Sequence, residues 1–267
     1  MPLTDDQVVA EAQSLDQAET SRSQCRQSTS VYPDMTMDDA YAVQAAWQGI
    51  KTGRGERVVG HKIGLTSRAM QQAMNITTPD SGFLTDTMMY EADCTLDAAA
   101  FLDGRLEVEL AFVLGTDLTS ANTTIDDVLA ATDYVVPALE LIAARTPRVD
   151  NNGRTRNVYD TIADNAANGA VITGGQKVAP GNIDLRWVGS ILYRNGIPEE
   201  TGLAAAVLDH PANGIVWLAK RYASIGKRLE AGQLVLSGSF TRPVAISSGD
   251  TFRADYGPLG AFEVDFT

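Results

Sequence analysis

Along the chain, apolar positions recur first with a helical spacing and then with the alternation of strands. Residues 4–22 are rich in Ala, Glu, Gln, Asp and Ser with sparse apolar positions, and predict a first helix. Thr36-Met37-Asp38-Asp39 opens a second, because Thr36 suits an N-cap and acids in the first turn suit the helix dipole. Tyr41, Val43, Ala46, Trp47 and Ile50 give it an apolar stripe, and Gly53 and Gly55 end it. Strand-like segments dominate afterwards, at 57–65, 82–90, 105–115, 134–142, 184–194, 232–237, 243–247 and 251–266. Clusters of Gly, Pro, Asn and Asp separate them. Short helices are expected at 67–74, 124–132 and 211–225, the last with Pro211 at its first position. Helices first and strands afterwards predict an α+β fold. Residues 1–56 form its helical N-terminal section and residues 57–267 its β-rich domain.

Composition narrows the function. The chain has 267 residues, long enough for a large buried core. Lys and Arg number 21 against 34 Asp and Glu, giving a formal net charge of -13. Nucleic acid and anionic membrane surfaces both require positive charge, so neither is an expected partner. No apolar run approaches the roughly 18–20 residues of a spanning helix. The acidic Met-Pro-Leu-Thr-Asp-Asp start lacks the profile of a signal peptide, so a cytoplasmic location is expected. Cys25 and Cys94 are too few for a disulfide framework or a thiolate cluster. With only His61 and His210, a metal site would be oxygen-ligated, which favours Mg²⁺, Mn²⁺ or Ca²⁺.

The candidate chemistry sits in a few segments. In Arg105-Leu106-Glu107-Val108-Glu109-Leu110, strand alternation puts Glu107 and Glu109 on one face. Adjacent carboxylates repel, so solvent, a basic partner or a divalent cation must offset them. Tyr134-Val135-Val136-Pro137-Ala138-Leu139-Glu140-Leu141-Ile142 places a lone acid in an apolar strand, where it needs a partner or a ligand role. Three carboxylates from neighbouring strands would supply one face of an octahedral site. Lys62, between Gly60 and Gly64, is either an acid/base group or an ordinary lysine at a strand end. His61 is expected to pack or hydrogen-bond locally. Thr78-Pro79-Asp80-Ser81-Gly82 reads as a turn, with Asp80 capping it or facing the site. Arg145, Arg148, Arg154 and Arg156 cluster in the polar loop 143–157, where they either hold an anionic substrate tail or make solvent and subunit contacts.

Taken together these segments resemble a known family. Gly60-His61-Lys62-Ile63-Gly64-Leu65-Thr66-Ser67, Pro79-Asp80, Glu107-Val108-Glu109 and Pro137-Ala138-Leu139-Glu140 occur in its order and spacing. So do Asp160-Thr161-Ile162-Ala163-Asp164-Asn165-Ala166, His210-Pro211-Ala212-Asn213-Gly214 and Gly238-Ser239-Phe240-Thr241-Arg242-Pro243. The chain is similar over nearly its whole length to the hydratase/decarboxylase branch of the fumarylacetoacetate hydrolase superfamily, which processes 2-oxo acids from meta-cleavage of aromatic rings. The resemblance implies a mixed β-roll, with Glu107, Glu109 and Glu140 as ligands of Mg²⁺ or Mn²⁺. It implies Lys62 and Asp80 as the catalytic pair, and Leu65, Arg145, Arg148 and Ser239 as substrate contacts. The long arginine-bearing loop, and Asn165-Ala166-Ala167 where monoacid hydratases tend to have Asn-Ala-Ser, imply a small-molecule 2-oxo dicarboxylate. Water addition is the activity implied. Decarboxylation of a 2-oxo diacid or hydration of a shorter 2-oxo monoacid are the alternatives within the family, and a non-catalytic partner subunit is the alternative outside it. A homo-oligomer, specifically a decamer, is implied as the assembly.

Overall fold

The computed structural model describes residues 2–67, 71–72 and 76–267. The helix expected over 67–74 falls largely outside them. Helices α1 (Asp5–Ser21) and α2 (Met37–Gly53) each begin with a reciprocal capping box, Thr4 with Gln7 and Thr36 with Asp39. They bury Leu15, Val43 and Trp47 in a shared apolar cluster.

The β1 (Val58–Gly64) and β2 (Asp80–Thr85) strands pair antiparallel, and two short strands follow, β3 (Met89–Glu91) and β4 (Cys94–Leu96). The long β5 (Arg105–Leu114) leads through helix α3 (Ile125–Ala131), capped by Thr124, into β6 (Thr132–Ile142). A six-residue helix, α4 (Val158–Ala163), precedes β7 (Asn168–Thr173). The hairpin of β8 (Gly189–Arg194) and β9 (Ile197–Leu203) is followed by helix α5 (Ala212–Ser224). The chain closes with β10 (Leu234–Leu236), β11 (Val244–Ala245), β12 (Thr251–Asp255) and β13 (Ala261–Phe266).

The strands form two mixed sheets. The larger has the order β2-β1-β10-β5-β6-β7-β3, with β11 also pairing to β5, and the smaller has the order β4-β13-β12-β8-β9. Parallel pairs β1–β10, β3–β7 and β4–β13 interrupt otherwise antiparallel neighbours. The main core joins one face of β5 (Leu106, Val108, Leu110, Phe112) to Phe252, Val264 and Phe266 of the smaller sheet and to Ile215 and Leu218 of α5. On β5 the alternate residues Glu107, Glu109 and Ala111 therefore face away from that core. No helix among the described residues is long and apolar enough to cross a membrane.

Some elements differ from expectation. The strand expected at 82–90 is two strands, since Asp86–Met88 form a 3-10 turn between β2 and β3. Asp80 is the first residue of β2, paired with Gly64, and not part of a turn. Residues Leu185–Trp187 form a 3-10 turn ahead of β8, because the Asp184 side chain accepts from Arg186 N. Pro211 occupies the N-cap, one position earlier than expected. The 251–266 segment is a hairpin bent at Gly257–Leu259.

Candidate metal centre and active site

The pairing of β5 with β6 sets Glu107 directly opposite Glu140 and Glu109 opposite Ala138. Alternation along β5 then puts Glu107 and Glu109 on the face shared with Glu140, and carboxylate oxygens of all three lie within 4.8 Å of one another. Like charges directly across a sheet are destabilising, so neighbours must fix them. Gly238 N donates to Glu109 Oε2 at 2.8 Å, and Asn168 Nδ2 donates to Glu140 Oε1 at 3.1 Å. From the core side, the Tyr256 hydroxyl lies 2.6 Å from Ala138 O and 3.0 Å from Glu109 O, pinning the two strands at this register.

Lys62, buried on β1, reaches the same group. Its Nζ lies 3.1 Å from Glu140 Oε1 and donates to Ala166 O at 3.0 Å. Burial alone would favour a neutral amine, but Glu140, Asp80, Glu109 and Glu107 together raise its pKa and keep it an ammonium. Burial and then the charge of Glu140 push the Glu107 carboxyl up to about 8. Burial, Glu140 and Glu107 likewise raise Glu109 well above the carboxylate range. Burial also raises Asp80, against the pull of Lys62.

Two buried oxygens here have no hydrogen-bond partner among the described residues, Glu140 Oε2 and Asp80 Oδ1. An unpartnered buried carboxylate oxygen beside two more carboxylates suits a hard divalent cation, which binds oxygen and offsets the crowded negative charge. The residues present therefore fit such an ion. Glu107, Glu109, Lys62 and Asp80 open onto one cavity of about 510 Å³. Gly64 makes room for it, since a β-carbon there would lie 2.3 Å from Asp80 Oδ1 and 3.1 Å from Lys62 Nζ.

The remaining expected residues divide. Leu65, held at φ +57°, and Ser239 line the cavity, and the Ser239 hydroxyl donates to Thr241 O at 2.9 Å. Arg148 lines it too, in an ion pair with Asp103. Arg145 does not. Its guanidinium is buried against Asp164, donates to Asn168 O at 2.7 Å and Asp164 O at 2.8 Å, and lies 4.8 Å from the Trp47 ring. The expectation that Arg145 contacts substrate is corrected on this ground: its donors are spent inside the protein. Arg156, in the same loop, lines the cavity instead, and Arg154 does not. His61 packs locally as expected, edge-on to Tyr222 with Nδ1 3.0 Å from its hydroxyl, and burial lowers its pKa to about 4.

The turn at Asn165–Ala167, which hydrophobic periodicity does not mark, completes the site. Asn165, Ala166 and Ala167 have φ of 50°, 50° and 58°, a left-handed run that L residues avoid at roughly 1–2 kcal/mol each. The Asn165 side chain holds the Phe83 backbone on both sides, accepting from its N–H at 2.8 Å and donating to its carbonyl at 2.9 Å. This fixes the turn so that Ala166 O meets Lys62. Asn168, the polar head of an apolar strand, was a signal available in the sequence, whereas nothing in the alanines themselves marked a left-handed turn.

Comparison with known proteins places the chain in a family. Residues 63–267 match the family described as fumarylacetoacetate (FAA) hydrolase C-terminal, and the chain belongs to that family. It is 52% identical over 256 residues to the 2-oxo-hept-4-ene-1,7-dioate hydratase of Escherichia coli, covering 96% of each chain. It is 40% identical to the 2-keto-4-pentenoate hydratase of Paraburkholderia xenovorans (strain LB400), over 96% of this chain and 93% of that one. Among solved structures, the 4-oxalocrotonate decarboxylase from Pseudomonas putida G7, complexed with magnesium and adipate, superposes with a TM-score of 0.94 at 34% identity over 99% of both chains.

Proposed function

We propose that this chain is a metal-dependent hydro-lyase that adds water to 2-oxo-hept-4-ene-1,7-dioate, giving 4-hydroxy-2-oxoheptane-1,7-dioate. The observation that carries the reading is the convergence of Glu107, Glu109 and Glu140, with Lys62 paired to Glu140 and with Glu107, Glu109, Lys62 and Asp80 lining one cavity. The 52% identity to a hydratase of that substrate supports the choice within the family. Glu107, Glu109 and Glu140 would hold Mg²⁺ or Mn²⁺, whose chemistry when bound is to polarise the carboxylate and keto oxygens of a 2-oxo acid.

The chain's own residues handle the protons. Asp80 lines the cavity with Oδ1 unbonded among the described residues, and burial makes it a stronger base than an exposed aspartate. It removes a proton from C3, the electron pair left behind forms the C3–C4 double bond, and the C4–C5 π pair takes the proton back from Asp80 at C5. Lys62, held as an ammonium, stabilises the negative charge that develops on the substrate during this transfer. The resulting double bond is conjugated with the 2-oxo group. Water oxygen then bonds to C4 while C3 regains a proton, so that the sum is addition of one water.

The test is to incubate metal-loaded protein with 2-oxo-hept-4-ene-1,7-dioate and follow the product by NMR. Appearance of the C4 alcohol, abolished by a chelator and restored by Mg²⁺ or Mn²⁺, is the expected result. Release of CO₂ from a 2-oxo diacid without water addition would instead favour decarboxylation, the reaction named for the structural relative. No turnover with any divalent ion overturns the reading. Assembly as a homo-oligomer, a decamer by resemblance, belongs to the same proposal and is checked by light scattering.

A further inference from the structure

The cavity carries a second polar pole besides the carboxylate trio. Arg148, Arg156 and Arg242 all line it, but they differ in how far their charge is already spent. Arg242 is 85% exposed and sits 2.5 Å from Glu200 Oε1. Arg148 is 38% exposed and paired with Asp103. Arg156 is only 8% exposed. Among the described residues its guanidinium makes one long hydrogen bond, to Thr146 O at 3.4 Å, and one ion-pair contact, 3.8 Å to Asp164 Oδ2. That Asp164 is already taken, since Arg145 N donates to Oδ2 at 2.8 Å and the Arg145 guanidinium occupies Oδ1.

Burying a guanidinium with most of its five donors unused is unfavourable unless a ligand completes it. A planar fork of this kind matches a carboxylate in bidentate fashion. We propose that Arg156, assisted by Arg148, is the specificity-determining residue that receives the second carboxylate of a 2-oxo dicarboxylate, while Arg145 only supports the fold. The inference rests on the reading that the cavity binds a 2-oxo acid by its head at the glutamate trio. The electrostatics of the cavity agree: burial dominates the lowered Arg156 pKa, and the Arg156 charge reaches Asp80 across the cavity.

The experiment uses two saturated acids that cannot be hydrated, 2-oxoheptanedioate and 2-oxoheptanoate, which differ only in the distal carboxylate. Their affinities for Mg²⁺-loaded protein are measured by titration calorimetry. Wild type is expected to prefer the diacid by roughly 10- to 100-fold, the range of a charge-assisted bidentate contact. Arg156→Met should reduce that preference to threefold or less, by weakening the diacid and not the monoacid. Arg156→Lys, which keeps the charge and loses the fork, should give an intermediate preference, and it decides the matter if Arg156→Met does not fold. An unchanged preference in either variant, or equal binding of the two acids by wild type, overturns the assignment alone. Failure of both acids to bind wild type overturns the underlying 2-oxo-acid reading, and the assignment with it.

Discussion

Replacing Gly64 with alanine would place a methyl carbon 2.3 Å from Asp80 Oδ1, 3.3 Å from Asp80 Cγ and 3.1 Å from Lys62 Nζ. Attractive contact between such atoms begins beyond about 3.4 Å, so the carboxylate must withdraw by about 1 Å. It cannot do so freely, because Asp80 is buried and its backbone is paired with Gly64 itself. A displacement of about 1 Å at a reacting group costs on the order of 100-fold in rate, or about 2.7 kcal/mol of barrier. The Glu107, Glu109 and Glu140 carboxylates are not among the atoms nearest the added methyl, so divalent-ion affinity should stay within about threefold. The assay is steady-state hydration with calorimetric Mg²⁺ titration of the same sample. Gly49→Ala is the control, since it meets nothing within 4 Å and sits inside α2, where alanine should stabilise by about 0.5–1 kcal/mol. If Gly64→Ala keeps its turnover number within threefold of wild type while folding normally, Asp80 is not the group that moves the substrate proton and Lys62 is not its charge-stabilising neighbour.

Three further outcomes are expected. Glu107 has a folded-state pKa of about 8 against an ordinary 4.5, so its contribution to stability is fully present below about pH 4.5 and lost as pH rises through about 8. The melting temperature of chelator-treated protein should therefore fall between pH 5 and pH 8, with the Mg²⁺-induced increase largest at the alkaline end; a flat metal-free profile would contradict the assigned crowding. Glu107→Gln should raise the metal-free melting temperature at pH 8 by ~2–6 °C through relief of carboxylate repulsion while weakening Mg²⁺ binding at least tenfold, both read from melts with and without ion. Arg145→Met should destabilise by about 3–5 kcal/mol in denaturant titration, because it strands Asp164 as a buried charge; a loss below 1 kcal/mol would show that the pair is not structural.

What could be read from the sequence followed from local pattern. Alternation in Leu106–Leu110 and an acid inside the apolar 134–142 run were enough to bring three glutamates to one face, because β5 and β6 are long and their register is fixed by one buried face. The N-cap Thr36 marked α2 for a similarly local reason. Strands β7 and β9, like the three-residue β4, do not show such a local pattern. The first begins Asn-Gly, and the second is an exposed edge strand carrying Pro198, Glu199 and Glu200, although the Asn195-Gly196 turn, with φ of 53° and 79°, was a readable hairpin signal. The split between Arg145 and Arg156 was illegible, since both lie in one polar loop. Their roles are decided by Trp47, nearly a hundred residues earlier, and by Asp164 on the far side of the loop.

The strained turn at Asn165–Ala167 shows how these parts depend on one another. Three successive left-handed residues would relax in isolation, yet here Arg145 and Asn165 restrain both flanks of the run. The turn aims Ala166 O at Lys62, which can then hold Glu140 by Oε1 and leave Oε2 unpartnered. Asn168, immediately after the turn, donates to that same Oε1. The carboxylate is thus oriented from one side by two donors, both set by a conformation that folding alone disfavours. A run of three strained residues next to the candidate site, countered by a buried ion pair outside the cavity, is the arrangement expected when ligand geometry rather than stability has determined the backbone.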